Sequence, residues 1–358
     1  MNEEMQYAVL HEFVEPARRN LSQGSWDYLM GGAETETALE RNRRALDSLT
    51  FRPRVLRNVE KVSARASLFG QDLRLPVILA PIGSLQDFTP HGGMGPTRAA
   101  AKFGGLHMLS SACAPGLEAV AACVDYPKIY QLYVRGDAAW VEDHIARAIA
   151  SKYVALCLTV DLDYYGRRER DLAKRYLTTS RRSNPADCFQ ARFSWEDVAR
   201  LKAKFKIPFI LKGIATAEDA RIALEHGIEG IYVSNHGGRQ LDHAQGSVAV
   251  LPEIVEAVSG KAKIIVDGGI LRGTDIVKAI ALGADAVGIG RLQGLALGAG
   301  GEAAVVRMLE LLEDEVIRCL GLLGVTSFAE LNASYISKAE PLGRAWLDSA
   351  FPLLKEGY

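Results

Sequence analysis

The sequence predicts an α/β fold in which eight parallel strands close into a TIM (β/α)8 barrel, with an N-terminal helical cap and C-terminal helices. Short apolar runs alternate with amphipathic stretches eight times along the 358 residues, and the apolar runs are rich in Val, Ile and Leu. Strands of this kind, separated by helices of about ten to fifteen residues, are typical of a parallel sheet. An open, doubly wound sheet is the alternative, but eight evenly spaced units favour a closed barrel.

Each predicted element follows from its own local pattern. Helices are predicted between the strands, and one of them begins with Thr216 as N-cap and Asp219 at the capping-box position. The predicted strands are Pro76–Pro81, His107–Ser111, Lys128–Val134, Val154–Asp161, Pro208–Gly213, Gly230–His236, Lys263–Gly269 and Ala286–Arg291. The predicted barrel helices include Ala138–Lys152, Ser194–Phe205, Thr216–Gly227 and Gly273–Gly283.

The chain is predicted to be a single domain over residues 1–358, because no low-complexity linker divides it. Residues 1–75 form the predicted helical cap, with helices over Met5–Val14 and Thr35–Leu49. Residues 76–325 form the barrel, and residues 326–358 form a C-terminal extension. The segment Arg181–Asp187 follows the fourth strand and is the predicted mobile loop, placed where a lid would cover the barrel mouth.

Composition and charge exclude several classes of protein. The formal net charge of −1 argues against a nucleic-acid partner held by bulk electrostatics. The five cysteines are widely spaced and contain no Cys-x-x-Cys pair, which argues against a zinc site and fits a reducing compartment. No signal peptide is visible, and no apolar run approaches the roughly 20 residues that span a bilayer. We therefore expect a cytoplasmic protein with no metal and no membrane or nucleic-acid partner.

Polar residues collect at the predicted carboxyl ends of six of the eight strands, which is the rim where barrel enzymes carry their chemistry. Lysine and aspartate inside apolar strands are costly unless they are paired or bind a ligand. Although single instances are often structural ion pairs, six together indicate a site. The residues are Gln131, Tyr133, Thr159, Asp161, Lys212, Ser234, His236, Asp267 and Arg291.

Two glycine-rich segments follow the seventh and eighth strands, where barrels bind phosphate through backbone N–H groups. They are Asp267–Gly269 and Gly288–Arg291. This pattern predicts a phosphorylated cofactor or substrate but does not by itself distinguish FMN from a sugar phosphate. No Gly-x-Gly-x-x-Gly follows the first strand, so a Rossmann dinucleotide site is not supported.

The most informative segment is Ser234–Asp242, which reads Ser-Asn-His-Gly-Gly-Arg-Gln-Leu-Asp. Its histidine and arginine, three positions apart, are able to face one small anionic molecule across two glycines. Imidazole takes up a proton near neutral pH, and guanidinium holds a carboxylate through two parallel hydrogen bonds. The pattern therefore predicts chemistry on an organic acid, with a plain polar turn as the alternative.

This segment resembles the active-site signature of the FMN-dependent 2-hydroxy acid oxidases and dehydrogenases, a family that includes glycolate oxidase, lactate oxidase and mandelate dehydrogenase. The resemblance covers about residues 25 to 335. Further matching segments are Tyr28–Glu34, Phe51–Leu56, Ala80–Gly83, Leu109–Ser111, Gln131–Val134, Thr159–Asp161 and Gly166–Glu169, together with Lys212.

The resemblance implies that FMN oxidises an L-2-hydroxy acid to the 2-keto acid. The implied catalytic residues are His236 as general base, Asp161, Lys212 and Tyr133, and the implied substrate-binding residues are Tyr28, Arg168, Arg239 and Tyr133. The implied cofactor-binding residues are Pro81, Ile82, Gly83, Ser110, Gln131, Thr159, Lys212, Ser234, Asp267, Gly268, Gly269, Arg272, Gly290 and Arg291.

Three positions depart from the family pattern. Leu271 stands where most relatives have an arginine near the FMN phosphate, so FMN affinity is lower or Arg272 and Arg291 compensate. Ala112 and Gly83 stand where relatives carry larger residues, which predicts a substrate larger than lactate. The alternative is that Tyr164, Tyr165 or Met30 refills the space.

The sequence is compatible with two further functions. One is that of another FMN barrel enzyme, such as the type 2 isopentenyl diphosphate isomerase, and the second is that of a flavin-binding protein that has lost catalysis. The electron acceptor is oxygen, a quinone or a protein. From the resemblance we expect a homo-oligomer, either a tetramer or an octamer.

Overall fold

The computed structural model describes residues 7–183, 189–343 and 346–357, and its eight central strands close into a parallel barrel. The predicted TIM barrel is therefore confirmed. Of the predicted mobile loop, residues 181–183 end a short helix, and residues 184–187 lie outside the described residues.

The segment before the barrel is mostly helical, as expected, but it also contains three short strands. A 3₁₀ turn over Leu10–Phe13 leads into the helices, and the predicted helix over Met5–Val14 is wrong within its described part. The α-helix begins only at Val14, because Pro16 lacks a backbone N–H and tolerates only the first turn. The elements are α1 (Val14–Asn20), α2 (Gln23–Met30), α3 (Thr37–Asp47), β1 (Leu49–Phe51), β2 (Ala66–Leu68) and β3 (Gln71–Leu73).

The hairpin of β2 and β3 closes the amino end of the barrel. Its two-residue turn, Phe69-Gly70, has positive φ at both positions, which suits the right-handed twist of a hairpin. Leu68 and Leu73 pack against the apolar side chains that fill the barrel interior, among them Ile210 and the fully buried Tyr232.

The eight barrel strands pair in parallel around the closed ring. All eight predicted strands are present, but seven end one to three residues earlier than predicted. Gln131, Thr159 and Lys212 remain in the hydrogen-bonded ladder. The other polar residues predicted at the strand ends lie beyond it, and they are Tyr133, Asp161, Ser234, His236, Asp267 and Arg291. The strands are β4 (Val77–Leu79), β5 (Leu106–Ser110), β6 (Ile129–Leu132), β7 (Ala155–Thr159), β8 (Phe209–Ile214), β9 (Gly230–Val233), β10 (Lys263–Val266) and β11 (Ala286–Ile289).

Helices cover the outside of the barrel and bury its second apolar layer. Thr216 is the N-cap of α11, as predicted, and its side chain accepts a hydrogen bond from the N–H of Asp219. The helices are α4 (Met94–Phe103), α5 (Leu117–Ala122), α6 (Ala138–Ala150), α7 (Glu169–Ala173), α8 (Thr179–Ser183), α9 (Phe189–Arg192), α10 (Trp195–Lys204), α11 (Ala217–Glu225), α12 (Ser247–Val258), α13 (Gly273–Ala281) and α14 (Arg291–Leu323), which is kinked at Gly300 and Gly301.

The C-terminal segment returns to the N-terminal cap. Strand β12 (Ile336–Lys338) pairs antiparallel with β1, and the short helix α15 (Leu347–Ala350) follows. Within the described ranges, no helix has the length and apolarity needed to cross a bilayer. Nor do the described His, Cys, Asp and Glu side chains form a cluster of three that is able to hold a metal ion.

Candidate active site

His236 lies just beyond β9 at the centre of the barrel rim, between a carboxylate and a phenol. Its Nδ1 is 3.1 Å from Oδ1 of Asp161, which comes from the loop after β7. Its Nε2 is 3.3 Å from the hydroxyl of Tyr133, which follows β6. Three separate strands therefore deliver one Asp–His–Tyr chain. A carboxylate on one ring nitrogen fixes the imidazole orientation and leaves the other nitrogen for proton exchange.

The backbone at this position is held in an uncommon conformation by close packing. His236 has φ of 59°, and Gly237 and Gly238 follow with φ of 67° and 76°. A Cβ on Gly238 would lie 2.4 Å from the backbone nitrogen of Leu39, so α3 rests directly on this loop. The glycines therefore permit both the left-handed conformation and the contact with the N-terminal cap.

The electrostatic environment makes His236 a free base at neutral pH. Burial lowers the pKa of His236 below its ordinary value, Asp161 opposes that shift, and Lys212 adds to it. Burial alone would raise the pKa of Asp161, but the nearby His236 and Lys212 outweigh it and leave the pKa below its ordinary value. The pair therefore rests as neutral imidazole beside carboxylate, ready to accept a proton.

Lys212 of β8 keeps its positive charge inside the barrel rim. Its Nζ donates to Oγ of Ser234 at 2.9 Å and lies 3.5 Å from Oδ2 of Asp267. The Ser234 hydroxyl donates to the same carboxylate at 2.6 Å. Burial would lower the pKa of Lys212, but Asp267 and Asp161 outweigh it and raise that pKa. The site thus has a fixed ammonium group.

Two arginines flank the ring of Tyr28 on the other side of His236. The guanidinium carbons of Arg239 and Arg168 lie 4.5 and 5.9 Å from its centroid. Arg239 donates to the carbonyls of Tyr28 and Gly31, while its Nη2 is buried and has no hydrogen-bond partner among the described residues. No carboxylate of the described chain lies within 4 Å of either guanidinium. Burial, and then Arg168, lower the pKa of Arg239. The two guanidinium groups therefore form a site at which an anion is able to bind.

A cavity of about 840 Å³ adjoins these groups. Nine of the predicted cofactor-binding residues line it, and so do Tyr28, Tyr133, His236 and Arg239. The nine are Pro81, Ile82, Gly83, Lys212, Asp267, Gly268, Gly269, Gly290 and Arg291. Four more, Ser110, Gln131, Thr159 and Ser234, are buried at the carboxyl ends of their strands.

Residues in and beside this cavity fit FMN. Oε1 of Gln131 is buried without a hydrogen-bond partner among the described residues, which leaves an acceptor for an amide-type ring N–H. Arg291 donates to the carbonyls of Gly237 and Gly31 at 2.9 and 2.7 Å, and its buried Nε has no partner in the described chain. Burial and then Arg239 lower the pKa of Arg291 to about 9, so it remains a cation at neutral pH and suits a phosphate.

Arg272 is the exception among the predicted cofactor residues. It donates to Glu315 of α14 through Nη2 at 2.5 Å and to the carbonyl of Ala350 through Nη1 at 2.9 Å. The structure therefore places it against the C-terminal helices and not in the cavity, where the uncharged Leu271 is part of the wall. Leu271 and Arg272 are adjacent in the chain just before α13, but their side chains point in different directions. Their spacing in the sequence does not reveal this.

A second cavity of about 1550 Å³, including its open part, adjoins the same side chains around His236. We call it the side-chain chamber. Tyr28, Gly83, Tyr133 and His236 line both cavities. Gly83 and Ala112 lie together on its wall, where a Cβ on Gly83 would be 3.3 Å from that of Ala112.

Two of the three residues considered as fillers of this space do not fill it. Tyr164 is 84% exposed, and Met30 is buried in the core and absent from the chamber wall. Tyr165 does line the chamber.

Sequence reasoning assigned no site role to several residues that line these cavities, among them Arg135 and Trp346. Arg135 lines the side-chain chamber, and its position two residues after Tyr133 is the signal that would have found it. Trp346 lines the first cavity, with the guanidinium carbon of Arg291 5.4 Å from its ring centroid. No local pattern predicts that a residue of the C-terminal segment returns to the barrel rim.

Comparisons with known proteins agree with this geometry. The family model described as FMN-dependent dehydrogenase matches residues 17–338. The chain is 38% identical over 347 residues to a peroxisomal (S)-2-hydroxy-acid oxidase of Oryza sativa subsp. japonica, covering 91% of this chain and 95% of the relative. It is 37% identical over 362 residues to an L-lactate oxidase of Nostoc sp., covering 91% and 97%. A crystal structure of mandelate oxidase superposes with a TM-score of 0.87 at 37% identity, covering 94% of this chain and 100% of that one.

Proposed function

We propose how this site works from one premise: the chain belongs to the FMN-dependent dehydrogenase family. The predicted family, cofactor and enzyme class are thereby confirmed, and the chain is an FMN-dependent 2-hydroxy acid oxidase or dehydrogenase. The individual residue roles, the catalytic base and the size of the substrate go beyond that result and form the proposal.

The proposal is the oxidation of an L-2-hydroxy acid to the 2-keto acid with His236 as general base. In this reaction the substrate loses two electrons and two protons: bound FMN would accept the electron pair with one proton, and His236 would take the other proton. The single observation that carries the proposal is the 3.1 Å contact between His236 Nδ1 and Asp161, beside two arginines that have no carboxylate within 4 Å in the described chain.

His236 would take a proton from the substrate because its neutral form predominates at neutral pH. Asp161 would hold the ring and stabilise the imidazolium that forms, since the carboxylate already contacts Nδ1. Tyr133, whose pKa is raised by burial, stays protonated and offers its hydroxyl 3.3 Å from Nε2. The base and its two partners are thus oriented before substrate arrives.

Arg239 and Arg168 would hold the substrate carboxylate, with Tyr28 between them. The Nη2 of Arg239 is a buried donor without a hydrogen-bond partner among the described residues, which costs free energy. A bound carboxylate would accept its hydrogen bond and offset that cost. Binding by two guanidinium groups fixes the carbon that carries the hydroxyl against His236, and such orientation contributes a large part of enzymatic rate enhancement. Lys212 holds a positive charge at the cavity wall, where it favours negative charge that develops nearby.

We propose that the nine predicted residues that line the first cavity bind FMN. Four buried residues at the strand ends would support them, and these are Gln131, Thr159, Ser110 and Ser234. Arg272 is left out of this set because its side chain is engaged by Glu315. Arg291 is then the arginine that would hold the phosphate in the absence of a second one at Leu271.

Two small residues support a substrate larger than lactate. Gly83 and Ala112 leave room on the wall of the side-chain chamber next to the reacting groups. We propose that the side chain of the substrate enters there. We also propose, from the family resemblance, a cytoplasmic homo-oligomer that is a tetramer or an octamer, and an electron acceptor that is oxygen, a quinone or a protein.

The decisive experiment is anaerobic mixing of the yellow holoenzyme with a panel of L-2-hydroxy acids, from lactate to larger members. Bleaching of the flavin absorbance, faster with the larger acids, is the expected result. Admission of air then shows whether oxygen restores the colour. A flavin that stays oxidised with every acid would overturn the proposed reaction, and equal or faster reduction by lactate would overturn the proposed substrate size.

A pair of variants locates the size preference. Ala112→Leu adds volume to the chamber wall and is expected to slow the larger acids at least about tenfold relative to lactate. Tyr164→Ala, at the exposed tyrosine outside both cavities, is the matched control and should leave the ratio unchanged. A changed ratio in Tyr164→Ala together with an unchanged ratio in Ala112→Leu would contradict the proposal that the substrate side chain enters this chamber.

A further inference from the structure

The side-chain chamber carries more positive charge than one substrate carboxylate requires. Arg135 and Arg181 line it in addition to Arg168, whereas Asp163, which is exposed to solvent, is the one carboxylate among the described residues that line it. Burial, and then Asp161, raise the pKa of Asp163. The chamber is therefore a cationic compartment that opens from the reacting groups.

Neither additional arginine forms an ion pair within the described chain, although the buried Asp171 interacts electrostatically with Arg181 at longer range. Within the described residues, no carboxylate lies within 4 Å of the Arg135 or the Arg181 guanidinium. Nη1 of Arg135 donates to Oγ of the buried Ser180 at 3.2 Å, so the residue next to Arg181 in the chain positions Arg135. Burial is the main cause that lowers the pKa of Arg135. A partly buried guanidinium without an anion is a cost that a ligand would offset.

Arg181 lies over the ring of Tyr165. Its guanidinium carbon lies 3.8 Å from the ring centroid of Tyr165, and that of Arg168 lies 4.1 Å from the same centroid. Stacking on an aromatic face orients a guanidinium while leaving its in-plane N–H groups free for a carboxylate. One tyrosine thus positions an arginine of the reacting centre and an arginine of the chamber.

Apolar side chains line the same chamber as these cations. Ala112, Val134, Leu162 and Leu177 contribute to the wall together with Arg135 and Arg181. A hydrocarbon chain running from the reacting carbon suits such a wall, and an anionic group at its far end suits the arginines. A purely apolar side chain would supply no anion to either cation.

We propose that the substrate is a 2-hydroxy dicarboxylate, whose second carboxylate is bound by Arg135 and Arg181. This inference rests on the proposed function for the position of the first carboxylate, at Arg168 and Arg239. It goes beyond a preference for size, because it requires a negative charge at the distal end of the substrate.

The test compares acids of equal chain length that differ in that charge. The wild-type holoenzyme is mixed anaerobically with L-2-hydroxyglutarate or L-2-hydroxypentanoate, and with L-2-hydroxyadipate or L-2-hydroxyhexanoate, and the second-order rate of flavin reduction is measured. The dicarboxylate of at least one pair is expected to react about 10- to 100-fold faster, the range for a charged hydrogen-bonded contact. The preference should shrink in high salt because part of the chamber is open to solvent.

Three variants distinguish specific binding by Arg135 and Arg181 from a general effect of positive charge on the rate. Arg135→Gln and Arg181→Gln should each lower the dicarboxylate rate about tenfold and change the monocarboxylate rate less than about threefold. Arg182→Gln removes the same charge from the neighbouring exposed position outside the chamber and is the matched control, expected to behave as wild type. Calorimetric titration with 2-oxoglutarate and 2-oxopentanoate supplies a binding readout that does not depend on turnover.

The outcomes distinguish the two proposals. Equal reduction by both members of both pairs would overturn the dicarboxylate subsite and leave the proposed oxidation standing. No reduction by any acid, with tighter binding of 2-oxoglutarate that depends on Arg135, would overturn the proposed oxidation and keep the subsite. Absence of both reduction and selective binding would overturn both.

Discussion

The amino end of the barrel is filled by apolar side chains and closed by a hairpin, whereas the carboxyl end carries ionisable groups around two cavities. Ile210 and Lys212 illustrate the contrast, because they lie two residues apart on β8. Ile210 packs in the interior with Tyr232, and Lys212 contacts Ser234 and Asp267 at the rim. The same strand therefore supplies stability at one end and chemistry at the other, which predicts that substitutions at the two ends have separable effects.

His236→Gln is expected to show the largest effect on activity with no matching effect on stability. Removal of the proposed general base should slow anaerobic flavin reduction at least about 10³-fold, equal to about 4 kcal/mol of activation free energy. FMN content and the melting temperature should stay close to those of the wild type. His91→Gln, at an exposed histidine, is the control. Near-normal flavin reduction in His236→Gln would reject the assignment.

The reverse behaviour is expected from Ile210→Ala at the amino end. Loss of a fully buried side chain should lower the free energy of unfolding by roughly 2–5 kcal/mol, measured by urea denaturation. The rate of flavin reduction at 25 °C should change less than about twofold, because the rim is built by different residues. Val55→Ala, at a side chain that is 80% exposed, is the control. A tenfold slower reaction in a stably folded Ile210→Ala would break the comparison.

A smaller effect is expected from Asp161→Asn, which keeps the shape of the side chain and removes its charge. Flavin reduction should slow about 10²-fold, because the imidazolium loses its stabilising partner while His236 remains. The exposed Asp125→Asn provides a control of equal charge change. A loss as large as that of His236→Gln would show that Asp161 has a further role beyond supporting the base.

The mildest perturbation is a change of pH, which tests the protonation state of the rim alone. A base whose pKa is lowered stays unprotonated at neutral pH, so the rate of flavin reduction should be level there. As the pH falls through the pKa of His236, which lies below the ordinary 6.5, protonation removes the base and the rate falls tenfold per unit. Stopped-flow reduction between pH 4.5 and 8 measures this profile. A rate that already declines at pH 7 would contradict the lowered pKa.

The same contrast explains how much of the molecule the sequence predicts. The eight strands are recognisable because alternation of apolar runs and amphipathic helices is a local property of the chain. The sequence pattern predicts carboxyl ends that lie too far along the chain. Polar residues such as His236 directly follow the apolar segment in sequence, but their backbone no longer pairs with the neighbouring strand. The pairing of β1 with β12 joins segments at opposite ends of the chain, and no local pattern encodes it.

The candidate site divides in a similar way. Family motifs identify His236, Asp161, Lys212, Arg168 and Arg239, which the structure brings to one rim. The direction of Arg272 is not predictable, because it depends on Glu315 of a helix more than forty positions later. Arg135 belongs to no motif, and its role depends on the fold of the segment that carries Ser180 and Arg181.

The contact between Gly238 and Leu39 has a consequence for how this protein tolerates evolutionary change. Because a helix of the first fifty residues touches the loop that carries the histidine, exchange of that helix between relatives would disturb the loop unless both pieces came from the same parent. In a library of chimeras, we expect active members to inherit positions 39 and 238 together. A recombination point between the cap and β4 is therefore expected to be far less permissive than the boundary of an independent module.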